Sequence, residues 1–259
     1  MTALAFGIRG NLPPEFAAEV ARAAEVKGYR AFWITAGLGP PSLGLLAAAA
    51  KVTSTITLGV GAIPLSHCTP KDVLVEVRRW DLPQERLIVG VGSGFQPLPL
   101  TRFTSYIGDL TGDLSCPVVV GAMGPRTCAL AGRTDGVLLT LVTPDHARRS
   151  VGWVAAGAAE AGRPAPPSYA YMSTAVGEDS LEQLREEART FVQYPAFVRH
   201  FERLGTPPEM AGIAVRSLDE LPARLADWDG VVDQVIMRTT RHANSLEQTL
   251  TLLDSCAQS

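Results

Sequence analysis

The chain has 259 residues, enough for one large domain or two small ones. Hydrophobic residues make up 46% and charged residues 19%, which excludes a disordered chain. The formal net charge of -3 argues against a nucleic-acid binder, and no apolar run is long enough for a membrane span.

Leu4–Ile8 is a strand pattern that begins almost at once, which predicts no cleaved leader. Glu15–Lys27 reads as a helix: Phe16, Val20, Ala23 and Ala24 recur at three- and four-residue spacing, with Glu19, Arg22 and Glu25 off that face. A second strand, Ala31–Thr35, precedes a helix at Ser42–Val52. Strand Ile56–Ile63 is followed by helix Asp72–Trp80, and strand Arg86–Gly92 by helix Leu100–Leu110. Strand Pro117–Ala122 leads to helix Arg126–Gly132, and strand Gly136–Leu141 to helix Pro144–Ala161. Strand Pro167–Val176 is followed by Ser180–Leu204, a long helix broken or kinked near Pro195. An extra helix around Leu218–Trp228 comes next, then strand Gln234–Thr239 and helix Ser245–Cys256. Pro14, Pro41, Pro70, Pro125 and Pro144 each open a helix, where a missing N–H costs nothing. Asn244-Ser245 reads as a further N-cap.

Strands alternating with helices imply a parallel sheet. The strands are nearly continuous apolar runs, as expected when both faces are covered. Eight such strands favour a closed (β/α)8 barrel over residues 1–259, with an extra helix between the last two strands. An open doubly wound sheet is the alternative. Its phosphate loop should follow the first strand, but Gly7–Pro13 holds no GxGxxG.

In a barrel, ligands bind at the carboxyl ends of the strands. Glycines gather there: Gly59 and Gly61 on the third strand, Gly90, Gly92 and Gly94 on the fourth, Gly121 and Gly124 on the fifth. Bare backbone on three neighbouring strands suits a flat ligand lying across them. Gly121–Arg126 is the best phosphate candidate, because a glycine loop leads into a helix opened by Pro125. Arg126 in that first turn opposes the helix dipole, and a bound anion would reverse the penalty.

PVVVGAMGPRTCALAGRTDGVLLTLVTPDH, residues Pro117–His146, resembles the strand-five-to-helix-six stretch of the bacterial luciferase-like superfamily. It is most similar to the deazaflavin (coenzyme F420)-dependent oxidoreductases. ITLGVGAIPLSHCTP (Ile56–Pro70) and RLIVGVGSGF (Arg86–Phe95) agree with it. The resemblance implies a (β/α)8 TIM barrel with F420, or alternatively FMN, at the carboxyl face. By position it assigns Gly61 and Ala62 to the bulge behind the ring, often with a non-proline cis peptide, and counts Ile63 among the cofactor-binding residues. It assigns Gly92, Ser93 and Gly94 to the ring edge. Gly121, Ala122, Met123, Gly124, Pro125 and Arg126 take the phosphate and ribityl loop, and Thr140 and Leu141 the strand-six end. Two departures stand out. The acid or histidine usual after strand two is replaced by Thr35–Leu38, and the insertion between strands four and five shrinks to about twenty residues, Phe95–Cys116.

His67, in the loop after strand three, is the candidate proton donor. His146, in a first helical turn, reads as a surface residue. Arg238, Arg241 and His242 follow the last strand, whose loop often binds phosphate in barrels. Cys68, Cys116, Cys128 and Cys256 form no CxxC pair, and no metal motif appears, so the expected protein is cytoplasmic with reduced thiols. The expected function is hydride transfer between F420 and a small-molecule substrate. An FMN-dependent monooxygenase and a catalytically silent flavin-binding protein are the rivals. The resemblance implies a homodimer through helices two and three, and the Ala-rich Leu45–Ala50 stretch suits close helix packing, either there or within the chain.

Overall fold

The computed structural model describes residues 2–36, 43–96, 98–242 and 245–256. The predicted strands form, within a residue or two at their ends. They are β1 (Ala3–Arg9), β2 (Ala31–Thr35), β3 (Thr57–Pro64), β4 (Leu87–Gly92), β5 (Val118–Ala122), β6 (Val137–Thr140) and β7 (Ser168–Val176). A three-residue strand, β8 (Ile213–Val215), precedes β9 (Gln234–Thr239). All pairings are parallel. The order β6-β5-β4-β3-β2-β1-β9-β7 closes by pairing β7 with β6, which makes an eight-stranded barrel. β8 lies outside that ring, on the carboxyl end of β7, where Thr174, Ala175 and Val176 oppose Ile213, Ala214 and Val215. The sequence reading did not contain β8; three residues between two helical stretches are too short to show a period.

Helices cover the barrel in turn. They are α1 (Pro14–Val26), α2 (Leu43–Ala50), α3 (Pro70–Arg79), α4 (Leu100–Asp113), α5 (Pro125–Ala131), α6 (Pro144–Glu160), α7 (Ser180–Arg189), α8 (Pro195–Leu204), α9 (Leu221–Ala226) and α10 (Leu246–Cys256). The predicted break at Pro195 is real: α7 ends at Arg189, and Pro195 opens α8. The extra helix is shorter than expected, a 3-10 turn at Leu218–Glu220 followed by α9. Prolines open α1, α3, α5 and α6; Pro41 and Asn244 lie outside the described residues. Ser245 caps α10: its hydroxyl accepts from the Gln248 N–H (3.1 Å), and Gln248 reaches back to the Ser245 N–H.

The amphipathic reading of α1 holds, with Phe16, Ala17, Val20, Ala21 and Ala24 buried against the barrel. Glu25, off that face, accepts from the backbone N–H groups of Ser54 (2.9 Å), Thr55 (2.6 Å) and Ile56 (2.9 Å) and so fixes the entry to β3. Burial pushes its carboxyl up, but those hydrogen bonds win and hold it at about 2.

Inside the barrel Trp33, Ile88, Val119, Leu138, Tyr171 and Ile236 form a plug. A Cβ on Gly59 would stand 2.2 Å from the Trp33 ring, so Gly59 makes room for that indole and does not face a ligand. Below the mouth the barrel is filled, and any ligand must sit on top of the plug. Among the described residues no helix is long and apolar enough to cross a membrane.

Candidate functional site

A cavity of about 420 Å³ opens above the plug at the carboxyl ends of the strands. One wall is backbone. It consists of Gly61–Ala62 at the end of β3, Gly92–Gly94 after β4 and Gly121–Ala122 at the end of β5. The Gly61–Ala62 peptide bond is cis, where pairing of β3 with β4 slips between Val60 and Ile63. A Cβ on Gly121 would stand 2.8 Å from the Cβ of Ala62, and one on Gly92 would stand 3.3 Å from it. Side chains at these positions would crowd Ala62 and break a flat wall.

The roof is aromatic. Phe95 stacks on Phe197 with ring centroids 5.6 Å apart, and Tyr194 (4.7 Å from Phe95) and Phe191 (4.9 Å from Phe197) complete it. Phe191 and Tyr194 come from the turn between α7 and α8, and Phe197 from the first turn of α8, so the helix break at Pro195 brings the roof over the mouth. At the floor, the Thr35 and Tyr171 hydroxyls are buried beside each other, with no further hydrogen-bond partner among the described residues. Burial raises the Tyr171 pKa and keeps the phenol protonated.

A cationic corner borders the cavity at β9, across the barrel from β4. Arg238 on β9 and Arg241 after it both line the cavity. Arg238 pairs with Glu187 on α7, whose Oε1 also accepts from Ser173 Oγ (2.6 Å). Burial pushes the Glu187 carboxyl up, but Arg238, Ser173 and Arg241 hold it below the usual range. Thr240 donates to Gln183 Oε1 (2.9 Å) and ties this loop to α7.

A second cluster sits where β5 and β6 end. Both ring nitrogens of His200 face backbone carbonyls, Nδ1 toward Met123 (3.1 Å) and Nε2 toward Leu141 (2.6 Å). Only a doubly protonated ring would serve both acceptors. Burial lowers the His200 pKa; the two carbonyls favour the charged ring, and Arg203 opposes it. Arg203 also donates to the Met123 carbonyl (3.4 Å). Next to His200 lies His146, with ring centroids 5.2 Å apart.

A family model for luciferase-like monooxygenases matches residues 5–109 and 95–240. The chain belongs to the luciferase-like monooxygenase family. Solved structures similar to it include an F420-dependent secondary alcohol dehydrogenase in complex with an F420-acetone adduct (TM-score 0.78, 15% identity, 99% of this chain and 98% of that one). A coenzyme F420 dependent tetrahydromethanopterin reductase from Methanopyrus kandleri has TM-score 0.72, 17% identity and coverage of 99% and 98%. The oxygenating constituent of 3,6-diketocamphane monooxygenase from Pseudomonas putida, in complex with FMN, has TM-score 0.68, 12% identity and coverage of 99% and 97%. No curated protein matches the chain in sequence.

In this luciferase-like barrel, eleven of the residues named from sequence line one cavity: Gly61, Ala62, Gly92, Ser93, Gly94, Gly121, Ala122, Met123, Thr140, Arg238 and Arg241. The others lie elsewhere. Ile63 is fully buried in the core around the barrel. Leu141 is buried and held by His200. Gly124 and Pro125 lie beyond the wall, beside Arg203 in the case of Gly124. Arg126 is exposed and lines a surface groove between α4 and α5 with Thr104 and Arg133. α5 has only seven residues, and its first turn faces out, so Arg126 follows the helix flank. His67 is exposed and bonded to Ser66 Oγ (2.8 Å), outside the cavity. His146 is not a surface residue: it is 1% exposed, and burial, then His200, Arg149 and Arg203, lowers its pKa to about 4. Burial raises the Cys68 thiol to about 11, so it is not an activated nucleophile.

Sequence reading missed Tyr171, Phe197, His200, Arg203 and Glu187. Each reaches the site from β7, α7 or α8, where the chain carries no motif and only the fold makes neighbours of distant residues.

Proposed function

We propose that this protein is an oxidoreductase that holds a deazaflavin, coenzyme F420, against the backbone wall of the cavity. The observation that carries the reading is the nearly bare surface at Gly61, Gly92 and Gly121, where the Ala62 methyl is the side chain that a Cβ on Gly92 or Gly121 would crowd, and which suits a flat tricyclic ring. The resemblance in Pro117–His146 supports F420 over FMN, and two similar structures are of F420-dependent enzymes. When bound, the deazaflavin supplies two-electron hydride chemistry.

The protein's own contributions follow from its residues. The backbone wall would orient the ring, and Ser93, Met123 and Thr140, which line the same cavity, would hold it in place. The Phe95–Phe197 roof would keep water from the covered part of the site. Tyr171 replaces His67 as the candidate proton donor, because its hydroxyl is held protonated by burial and lies at the floor beside Thr35. Arg203, which donates to the Met123 carbonyl beside Gly124, would hold an anionic tail of the cofactor there.

An FMN-dependent monooxygenase is the second reading, favoured by the description of the matching family and by the FMN complex among the similar structures. Titration of the purified protein with oxidised F420 and, separately, FMN distinguishes them by fluorescence quenching. The expected result is saturable F420 binding at least tenfold tighter than FMN. Tighter FMN binding selects the monooxygenase, and binding of neither refutes both.

A further inference from the structure

We infer that His200 is a positioning residue that works as a proton-operated clamp: protonated, its ring donates from both nitrogens and fastens the roof helix α8 to the two strand-end turns that line the cavity. The inference rests on the reading of the cavity as a cofactor site and adds a proton to cofactor binding. His200 is fully buried. Its Nδ1 faces the carbonyl of Met123 (3.1 Å), just after β5, and its Nε2 faces the carbonyl of Leu141 (2.6 Å), just after β6. Met123 lines the cavity, and so does Thr140, the residue before Leu141. Phe197, one turn earlier on α8, also lines it. One ring therefore touches both turns and rides on the helix that carries the roof.

Leu141 shows what the clamp holds. Its φ is 54°, in the left-handed region that a non-glycine residue keeps only where its surroundings fix it. Its side chain is buried in a cluster with Phe197, Phe201 and Leu204 of α8, and its carbonyl faces His200. Both fastenings come from α8. A neutral imidazole has one N–H and one lone pair, so it serves one carbonyl and turns a lone pair on the other. Protonation supplies the second bond.

The charged and titratable neighbours lie on three helices. Arg203, on α8 itself, donates to the Met123 carbonyl (3.4 Å). On α6, the His146 ring lies 5.2 Å from His200 between centroids, with Arg149 3.1 Å from its Nδ1. Burial lowers the His146 pKa to about 4, so that ring is neutral at neutral pH. On α5, Cys128 lies within the field of Arg203 and is also neutral, its thiol pushed up by burial to about 12. Burial lowers the His200 pKa, the two carbonyls raise it, and Arg203 lowers it; the balance lies below the ordinary 6.5. In the ligand-free protein the clamp is therefore open at neutral pH. A ligand seated against Met123 and Thr140 is held best when both turns are fixed, and so draws a proton onto the ring. The sign follows: binding is tightest below the ligand-free pKa and weakens as pH rises through the higher pKa of the complex.

The test follows the His200 ring by nitrogen-15 NMR, and its two acceptors by the carbonyl carbon resonances of Met123 and Leu141. The full-length protein is titrated from pH 5 to 8.5, without ligand and with saturating F420 or FMN. The ring is recognised by its contact with Phe201, 5.8 Å away between centroids. Both carbonyl resonances should move with the same midpoint as the ring, and ligand should raise that midpoint. Fluorescence-quenching titrations give the matching affinities. Between pH 5.5 and 8 the wild type should weaken about tenfold more than His200→Gln, a comparison from which the ligand's own ionisation cancels. Carbonyl resonances that ignore the ring, a midpoint unmoved by bound ligand, or equal pH slopes in wild type and variant overturn the inference. The NMR measurements need only the wild type, so they decide even where His200→Gln does not fold. Failure of the oxidoreductase reading is a separate outcome: carbonyls that follow the ring in a protein that binds neither F420 nor FMN keep the clamp and refute the reading.

Discussion

Arg126 and Arg203 separate what neighbouring in sequence means from what neighbouring in space means. Arg126 follows the glycine turn directly, yet its side chain lies on the flank of α5. Arg203 is 80 residues from Met123 and donates to its carbonyl. A charge-assisted contact to a cofactor phosphate contributes roughly 1.5–3 kcal/mol. Arg203→Ala should therefore weaken F420 binding about ten- to a hundredfold, while Arg126→Ala should leave the dissociation constant unchanged. The reverse pattern would return the phosphate to the start of α5. His146 makes a different prediction. Its folded-state pKa of about 4 lies below the ordinary 6.5, so between those values the unfolded chain takes up the proton that the folded chain refuses. Stability from this residue is complete above pH 6.5 and is lost as pH falls toward 4. His146→Gln should flatten the fall in melting temperature across that window, and a variant with the same slope as wild type would remove His146 from the account of acid sensitivity. Nothing in Asp145-His146-Ala147 announces burial. The packing partners His200 and Trp153 come from α8 and the next turns of α6, and only the folded chain supplies them.

At the scale of elements, α8 is the part that turns a barrel into a covered site. Phe197, Phe201 and Leu204 pack on Leu141 and Ala188, and the same helix delivers His200 and Arg203 to the strand ends. Truncation of a buried Phe costs roughly 3–5 kcal/mol, including the cavity left behind. Phe197, 7% exposed, should lie at the lower end, because its Phe95 face borders the cavity. Phe197→Ala should lower unfolding free energy by about 3 kcal/mol in a denaturant titration and weaken F420 binding as well. A stable variant with unchanged binding would show that the roof is dispensable. The break before α8 was legible, because proline inside a helical pattern must end or kink it. The function of the break was not, because roof formation depends on how α7 and α8 fold back over the barrel. β8 was illegible for a simpler reason: Ile213–Val215 is too short to carry a pattern, and it exists because the end of β7 projects beyond the barrel and offers an edge.

For the molecule as a whole, the barrel could be read in advance because strand and helix periods alternate and strands covered on both faces stay apolar. The backbone wall was legible for the same reason, since Gly61, Gly92 and Gly121 end three adjacent strands. Gly59 shows the limit of that logic; it looks the same in sequence but serves the Trp33 indole inside the plug. One cavity joins the glycine-rich wall of β3–β5 to the β9 end, where Arg238 and Arg241 line it, above a floor that includes Thr35 and Tyr171 and under an aromatic roof. The most direct measurement is the position of the ring in crystals grown with oxidised F420. Density for the tricycle is expected flat against Gly61–Ala62, Gly92 and Gly121, beneath Phe197 and facing Arg238. A ring bound outside this cavity, or turned so that its face meets the arginines and its edge the glycines, would contradict it.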